Sequence, residues 1–488
     1  MSGTHTLFEI MEGLEYSIIS GQDKPISGIA YDSRAVREGD VYFALKGQQF
    51  DGAEFINDAI DKGCSAVVTE EEIDGSFVTL LKTSDSRSAL AFASSAFYGH
   101  PSHDLKLLGI TGTNGKTSVA FILRYLLQST GHMTAIMGTV GNDFGSGMTE
   151  SKLTTPEAPE INKFLRDALK AGSTHAVMEV SSHSLKMKRA AGLAFDVALF
   201  TNLTHDHLDF HGDFDSYRES KAMLFNGLSR SAKAVVNKDD PAWEKVVSSS
   251  PAGIVTYSMS DSSADYHAAS YSHSSDGLRI DLATPENDIE ITSSLVGEFN
   301  VYNLMAAYAA AEAVGAKPDG DLGELPQIPG RLEKITVNAD FTVLVDYAHT
   351  PDALRNAITA ARELLSGTGK LVTVFGCGGD RDKEKRAVMG EIASTLSEFV
   401  IITSDNPRNE KPEDIISEII KGIDPKTPFD SIPDRRAALK MALKIATTGD
   451  VVLIAGKGHE DYQETMGVKT KFSDKETIAE IMGRQMTI

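Results

Sequence analysis

Cysteine is almost absent from this chain. Cys64 and Cys377 stand far apart and form neither a disulfide framework nor a paired metal-ligand pattern, so a reducing compartment is expected. Positive charge is also short: 69 acidic residues face 47 Lys and Arg, a net charge of -22. That balance excludes general attraction to nucleic acid or to an anionic membrane surface, and any anion must be met by local groups. Long apolar runs are missing too. The longest, such as 304–311, fall far below the roughly 18 residues that cross a bilayer, and 1–17 lacks a basic flank followed by an apolar stretch. Neither membrane insertion nor a leader is expected, and a cytoplasmic monomer is. No period of about 20 to 50 residues recurs, which excludes solenoids and propellers. What remains is globular usage, 41% apolar and 24% charged, in 488 residues, enough for roughly three domains at about 150 residues each.

Three zones are visible. The first combines strand-like pieces at 40–45 and 65–69 with an Ala-rich helix at 88–98, and ends at Gly99-His100-Pro101-Ser102. The second opens with an apolar strand at 105–110, a glycine-rich turn and a helix at 118–128 carrying Val119, Ile122, Leu123 and Leu126 at helical spacing. Strands at 175–180, 194–202 and 233–237 alternate with helical stretches, the pattern of a mainly parallel sheet covered by helices. A Ser-rich stretch at 258–277, followed by alternation at 278–282, predicts an antiparallel ribbon on the sheet edge, a surface excursion without function. After Ile328-Pro329-Gly330, strands at 341–346, 370–376, 399–404 and 451–455 alternate with helices at 351–365, 383–395, 412–421 and 434–446. This is a second doubly wound sheet, whose ligands should lie beyond the strands' C-terminal ends.

The strongest chemical signal is Gly109-Ile110-Thr111-Gly112-Thr113-Asn114-Gly115-Lys116-Thr117, between strand and helix. Glycines let backbone N–H groups close on phosphate oxygens, the helix N-terminus favours an anion, Lys116 supplies a point charge, and the Thr117 hydroxyl suits magnesium. Ile110 stands where the standard phosphate loop has its first glycine; a tight turn alone would also need the glycines. Glu179, in Met178-Glu179-Val180-Ser181-Ser182-His183, ends a strand facing the same crevice. Thr204-His205-Asp206-His207-Leu208-Asp209-Phe210-His211 follows another strand; without cysteines and beside a phosphate loop, it favours hard magnesium or manganese over zinc, with most of its histidines structural. Lys221, in Tyr217-Arg218-Glu219-Ser220-Lys221, reads by itself as a helix lysine with its ammonium in water.

Taken in order, these motifs resemble the Mur ligases, ATP-dependent amide-forming enzymes of peptidoglycan precursor synthesis. The likeness continues through Gly297-Glu298-Phe299-Asn300, Gly330-Arg331-Leu332-Glu333, Asp346-Tyr347-Ala348-His349, Asp380-Arg381-Asp382, Asp405-Asn406-Pro407-Arg408 and Gly456-Lys457-Gly458-His459-Glu460, and so covers the chain. The last motifs resemble the members that add meso-diaminopimelate as third amino acid. The resemblance implies an α/β fold of three domains: 1–102 for the UDP end of the substrate, 103–330 a central ATPase with a parallel sheet, and 331–488 a Rossmann-like domain for the amino acid.

The resemblance also implies site residues. ATP is met by Gly112, Thr113, Asn114, Gly115, Lys116 and Thr117, with Asn300 at the adenine and Arg331 and Asp346 at the ribose and terminal phosphate. Two magnesium ions are held by Thr117, Glu179, His207 and a Lys221 carbamylated by carbon dioxide, so that Lys116, Lys221, Glu179 and His207 form the catalytic set. UDP-N-acetylmuramoyl-L-alanyl-D-glutamate is met by Ser33, Thr154, Thr155, Ser181 and Arg189. Leu153 and Met187 depart from the asparagine and glutamine of some members. The amino acid is met by Arg381, Asp405, Asn406, Pro407, Arg408, Gly456 and Glu460.

The implied reaction converts the D-glutamyl carboxylate, a poor electrophile, to an acyl phosphate that the incoming amine attacks. Diaminopimelate carries a distal carboxylate that lysine lacks, and the Arg408 guanidinium can grip it through two parallel hydrogen bonds. The rival expectations are the lysine-adding version of the same ligase and, further off, folylpolyglutamate synthetase.

Overall fold

The computed structural model describes residues 5–47, 50–72, 78–274 and 277–483; the start of the segment read for a leader, two residues of the Ser-rich stretch and the side chain of Asp209 lie outside the described residues. Three domains follow one another along the chain, each built on its own sheet. In the first, Ile29–Ala30, Val41–Phe43, Ala66–Thr69 and Thr79–Thr83 run parallel and Tyr16–Ser20 closes the edge antiparallel. The helix Ser86–Phe97 covers this sheet through Ala89, Leu90 and Ala93, and Asp85 starts it by accepting the Ser88 N–H.

The second sheet has eleven strands. Its parallel centre sets Thr134–Met137, His175–Glu179, Lys106–Thr111, Val197–Phe200, Lys233–Asn237 and Gly253–Ser258 side by side. The central three, His175–Glu179, Lys106–Thr111 and Val197–Phe200, are buried on both faces, which explains their continuous apolar sequence. The helix Lys116–Ser129 packs Val119, Ile122, Leu123 and Leu126 against one face, beside the Ala-rich helix Phe299–Ala313, whose small side chains permit close approach.

One expectation is corrected here. Tyr266–Ser274, Gly277–Ala283 and Ile289–Ser293 do form antiparallel pairs, but they continue the central sheet instead of leaving it as a surface ribbon. Their Tyr266, Leu278, Ile280, Leu282 and Ile291 are buried in the core cluster that seats Phe299–Ala313. The alternation at 278–282 is the mark of a sheet strand with one covered face, Leu278, Ile280 and Leu282 buried and Arg279 and Asp281 exposed.

In the third sheet, Thr342–Asp346, Val451–Ala455, Leu371–Phe375, Phe399–Ile402 and Phe429–Ser431 are parallel, and Glu333–Ile335 joins antiparallel. Pro351–Arg362, Glu384–Leu396 and Pro412–Ile420 cover one face; Arg435–Ile445 and Asp474–Ile481 cover the other. Among the described residues, no helix is long and apolar enough to cross a membrane.

Candidate active site

The glycine-rich turn lies at the C-terminal end of Lys106–Thr111 and runs into Lys116–Ser129. Gly115 enters the helix at φ +86°, and a Cβ there would come within 2.6 Å of the Asn303 Oδ1, so only glycine fits. Asn202 ties the turn down: its carbonyl accepts the Thr113 N–H and its Oδ1 accepts the Asn114 N–H, both at 2.9 Å. Lys116 folds back, donating from Nζ to the Gly112 and Thr113 carbonyls at 2.9 Å each. Burial lowers its ammonium from the ordinary lysine range and Arg331 adds to this, while Glu179 and Asp206 oppose it. A cation held inside its own loop by two neutral carbonyls is poised to exchange them for phosphate oxygens.

Glu179 ends His175–Glu179 and is 1% exposed. Its carboxylate accepts the Thr117 hydroxyl at 3.0 Å, the Thr139 N–H at 2.8 Å and the Thr139 hydroxyl at 3.0 Å. The Thr117 hydroxyl in turn accepts from the Arg331 guanidinium at 2.9 Å, which brings the third domain to the phosphate loop. Asn114 makes a second such bridge, donating to Asp352 at 2.8 Å.

Lys221 lies on Phe214–Asn226, and its position differs from the expectation for an isolated helix lysine. It is 1% exposed, not snorkelling into water. Its Nζ sits 4.4 Å from the centre of the Tyr217 ring and, among the described residues, has no hydrogen bond or ion pair. Burial drives its pKa well down, and Lys116 lowers it further. The Tyr217 hydroxyl meets the Thr113 hydroxyl at 3.0 Å, so this tyrosine links the phosphate loop to Lys221.

His207 adopts a left-handed backbone at φ +56° and pairs with Asp206 at 3.3 Å. Burial lowers its pKa to about 3. Its ring lies 4.7 Å from that of His183 and 6.2 Å from Tyr217. His211 is structural, bonded to the hydroxyls of Ser182 and Ser220. Among the described residues, no three His, Cys, Asp or Glu side chains form a ready metal cluster.

The residues expected at the muramoyl dipeptide are mostly neighbours. Thr154 meets the Thr139 hydroxyl at 3.0 Å. Thr155 donates to the Glu179 carbonyl at 2.8 Å and accepts the Ser181 N–H at 3.0 Å, while Arg189 donates to the Thr155 carbonyl and pairs with Glu157 at 2.7 Å. Ser33 stands apart in the first domain, buried in a short turn after Asp32. Met187 caps the short helix Ser182–Lys186, and Leu153 is exposed.

At the nucleotide's far side, Asn300 bonds within its own helix region, donating to the Val296 carbonyl and accepting from Asn303, both at 2.8 Å. Asp346 accepts the backbone N–H of Leu332 and of Ala348, each at 2.7 Å, and burial raises its pKa. It therefore clasps the start of the third domain.

The third sheet's strand ends gather the remaining residues. Arg408 holds φ +50°, a strained conformation for a non-glycine residue, and donates to the Gly379 carbonyl at 2.7 Å. Arg381 is exposed alongside it; the two flank Gly378. Gly456 has φ +112° and no room for a Cβ against Asp405. Asn406 donates to Glu460 at 2.8 Å, and Pro407 packs its carbonyl on Gly379.

Three family models match in series: the Mur ligase family catalytic domain at 25–96, the Mur ligase middle domain at 110–311, and the Mur ligase glutamate ligase domain at 330–458. The chain belongs to the Mur ligase family. It is 42% identical over 485 residues to the UDP-N-acetylmuramoyl-L-alanyl-D-glutamate--2,6-diaminopimelate ligase of Syntrophomonas wolfei, covering 98% of this chain and 99% of that one. The protein of the same name from Cytophaga hutchinsonii is 43% identical, with 95% and 96% covered. A solved structure, also of a UDP-N-acetylmuramoyl-L-alanyl-D-glutamate--2,6-diaminopimelate ligase, aligns at 35% identity with a TM-score of 0.69, covering 98% and 99%. This Mur ligase is thus an ATP-dependent, ADP-forming ligase.

Several residues at the ligase site escaped the sequence-based expectations. Thr139 carries two of the three hydrogen bonds described to the Glu179 carboxylate, and its signal was the short apolar run Thr134–Met137 followed by Gly138. Lys457 and His459 stand in a quoted motif that gave them no role, and Asn202 and Asp352 had no local mark that separates them from ordinary polar residues.

Proposed function

We propose that this Mur ligase joins meso-diaminopimelate to the D-glutamyl carboxylate of UDP-N-acetylmuramoyl-L-alanyl-D-glutamate, through an acyl phosphate, with release of ADP and phosphate. The observation that carries most weight is the continuity of Lys116, Thr117, Glu179 and Thr139 with Thr154 and Thr155: the groups that would hold a transferring phosphoryl adjoin those that would hold its acceptor. Phosphoryl transfer needs alignment and charge neutralisation more than covalent help, and this arrangement supplies both.

The donors suit magnesium: the Thr117 hydroxyl and Glu179 carboxylate are hard oxygen ligands, and Glu179 is buried and already oriented by Thr139. Magnesium bound there would neutralise charge developing between nucleotide and acceptor. Lys116 would exchange its two carbonyls for phosphate oxygens, and Arg331 would add a second cation from the third domain. A second ion would need another anionic oxygen near Lys221 and His207. A buried amine that has no hydrogen-bond partner among the described residues, its pKa pressed down, suits carbamylation. The neutral nitrogen attacks carbon dioxide, the new C–N bond forms, and the proton leaves to solvent.

Ser33, Thr154, Thr155, Ser181 and Arg189 would bind the muramoyl dipeptide; Arg381, Asp405, Asn406, Pro407, Arg408, Gly456 and Glu460 would bind the amino acid. Arg408 would grip the distal carboxylate, and Glu460 the ammonium beside it. Asn300 would face adenine and Asp346 the ribose side. We further propose domain limits at 102 and 330, a monomer, and a cytoplasmic setting, where the nucleotide substrates are made.

Purified protein given UDP-muramoyl dipeptide, ATP, magnesium and diaminopimelate should form tripeptide and phosphate in equal amounts, and much more slowly with L-lysine. Equal rates would favour the lysine-adding alternative, and folate-dependent turnover would favour folylpolyglutamate synthesis.

A further inference from the structure

Behind the proposed amino-acid pocket lies a lysine that the family motifs name without a role. Lys457 follows Gly456 at the end of Val451–Ala455, and it is 0% exposed. Its Nζ donates to Glu460 Oε2 at 2.8 Å and to Asn406 Oδ1 at 3.1 Å, and lies 5.4 Å from the Tyr462 ring centre. The Asn406 amide is thereby fixed. Its Oδ1 accepts from Lys457 and from the Glu464 N–H at 3.0 Å, while Nδ2 donates to Glu460 Oε2 at 2.8 Å. Rotating the amide by half a turn would set NH2 against an ammonium and an N–H, so only one orientation is permitted. Glu460 consequently has one oxygen doubly bonded from behind. Among the described residues its Oε1 meets only the Tyr347 hydroxyl, at a long 3.5 Å, and remains the oxygen for a ligand.

The charge matters as much as the geometry. The charges of Asp405, Glu460, Glu464 and Arg408 all act on the Tyr462 ring, and the Arg408 guanidinium lies 3.8 Å from Glu464, so three carboxylates face one arginine across this end of the sheet. Lys457 offsets Glu460 from the buried side. The distal centre of diaminopimelate carries one carboxylate and one ammonium and is neutral, whereas that of lysine is a lone cation. Without the buried ammonium, the pocket would become more negative and would favour the more cationic ligand.

We propose that Lys457 determines specificity in the amino-acid pocket: it locks Asn406 and Glu460 in one hydrogen-bonded pose, and its charge lets the pocket accept a distal zwitterion over a lone ammonium. This inference rests on the assignment of Arg408 and Glu460 to diaminopimelate.

The test compares Lys457→Met, a neutral side chain of similar length, with wild type, using tripeptide formation from diaminopimelate and from L-lysine. The variant should raise KM for diaminopimelate about tenfold or more, leave KM for ATP within about twofold, and lower the diaminopimelate-to-lysine ratio of kcat/KM by about tenfold or more. General loosening of the pocket would slow both amino acids alike. Lys457→Gln, which keeps a donor, should lower the ratio in the same direction if the methionine variant does not fold. A ratio unchanged from wild type overturns the inference, as does loss of folded protein in both variants, which would assign Lys457 to the core alone. A wild type that does not discriminate between the amino acids would instead remove the diaminopimelate assignment itself.

Discussion

Replacing Lys221 by methionine separates the chemistry of this site from its packing. Lys221 is 1% exposed, lies over Tyr217 and has no hydrogen-bond or ion-pair partner among the described residues. Methionine has nearly the same length and needs no desolvation of an amine. A volume-conserving change of this kind costs less than about 1.5 kcal/mol, and relief of an uncompensated buried amine pulls the balance towards stabilisation. Truncation to alanine would instead leave a cavity worth about 2 to 5 kcal/mol, confusing the two effects. The melting temperature of Lys221→Met should therefore equal or exceed that of wild type stripped of carbon dioxide, in which Lys221 is a free amine.

Activity should move the other way. If the carbamate supplies an oxygen ligand for a second magnesium, its loss should reduce phosphate release by about a thousandfold, roughly 4 kcal/mol of transition-state stabilisation. Added bicarbonate should not restore it, because methionine offers no nitrogen. Wild type stripped of carbon dioxide should lose activity reversibly, and an intact mass spectrum under native conditions should show the added carbon dioxide on wild type alone. A methionine variant with near-wild-type turnover, or wild-type activity indifferent to carbon dioxide, would refute the reasoning.

Arg408→Ala should weaken diaminopimelate saturation by about 30-fold or more while ATP saturation stays near wild type, measured by initial rates over both substrates. Glu179→Gln keeps one acceptor oxygen for the Thr139 N–H but sets an NH2 against the Thr117 and Thr139 hydroxyls and removes the charge, so kcat should fall about a hundredfold and the magnesium concentration for half-maximal rate should rise. Asp474→Asn leaves the fully buried Arg435 with its carbonyl partners Ser404 and Ala455 but without its counter-ion; thermal or denaturant unfolding should show a loss of about 3 to 5 kcal/mol, much less for a double replacement of Arg435 and Asp474 by leucine.

Much of this was legible in the chain. The phosphate loop announces itself because its glycines, lysine and threonine are consecutive and their spacing follows from backbone geometry, as Gly115 at φ +86° shows. Glu179 at a strand end and Asp405 just beyond one were equally readable, since buried parallel strands leave continuous apolar runs that stop at the crevice. What escaped was whatever depends on distant partners. Burial of Lys221 is set by the packing of Phe214–Asn226 beneath the phosphate loop, and a helix lysine carries no local mark of it. The strands of 266–293 were misread because the alternation at 278–282 shows that one face is covered without showing what covers it, and that partner, the helix Phe299–Ala313, lies elsewhere in the chain. Thr139 became a site residue only through sheet order, which sets Thr134–Met137 beside His175–Glu179.

The position of Arg331 links these local features to motion between domains. Its guanidinium reaches the Thr117 hydroxyl and stacks 4.9 Å from the Tyr347 ring centre, while Asn114 reaches Asp352. These contacts between the second and third domains are polar and few-atom, and they fall on residues that a nucleotide would also engage. Such contacts can be exchanged for phosphate oxygens at small cost, unlike the apolar cores within each domain. Asp346 makes the exchange possible without loosening the domain, because its carboxylate already holds the backbone N–H groups of Leu332 and Ala348, which pack in the same core cluster. Arg331 thus pivots next to a fixed clasp. Nucleotide binding is then expected to reorganise the interface around Thr117 while leaving both sheets intact, and hydrogen exchange with and without a non-hydrolysable ATP analogue should show protection changes at 112–117 and 330–332 but not in Leu371–Phe375; changes spread evenly through the third sheet would contradict this picture.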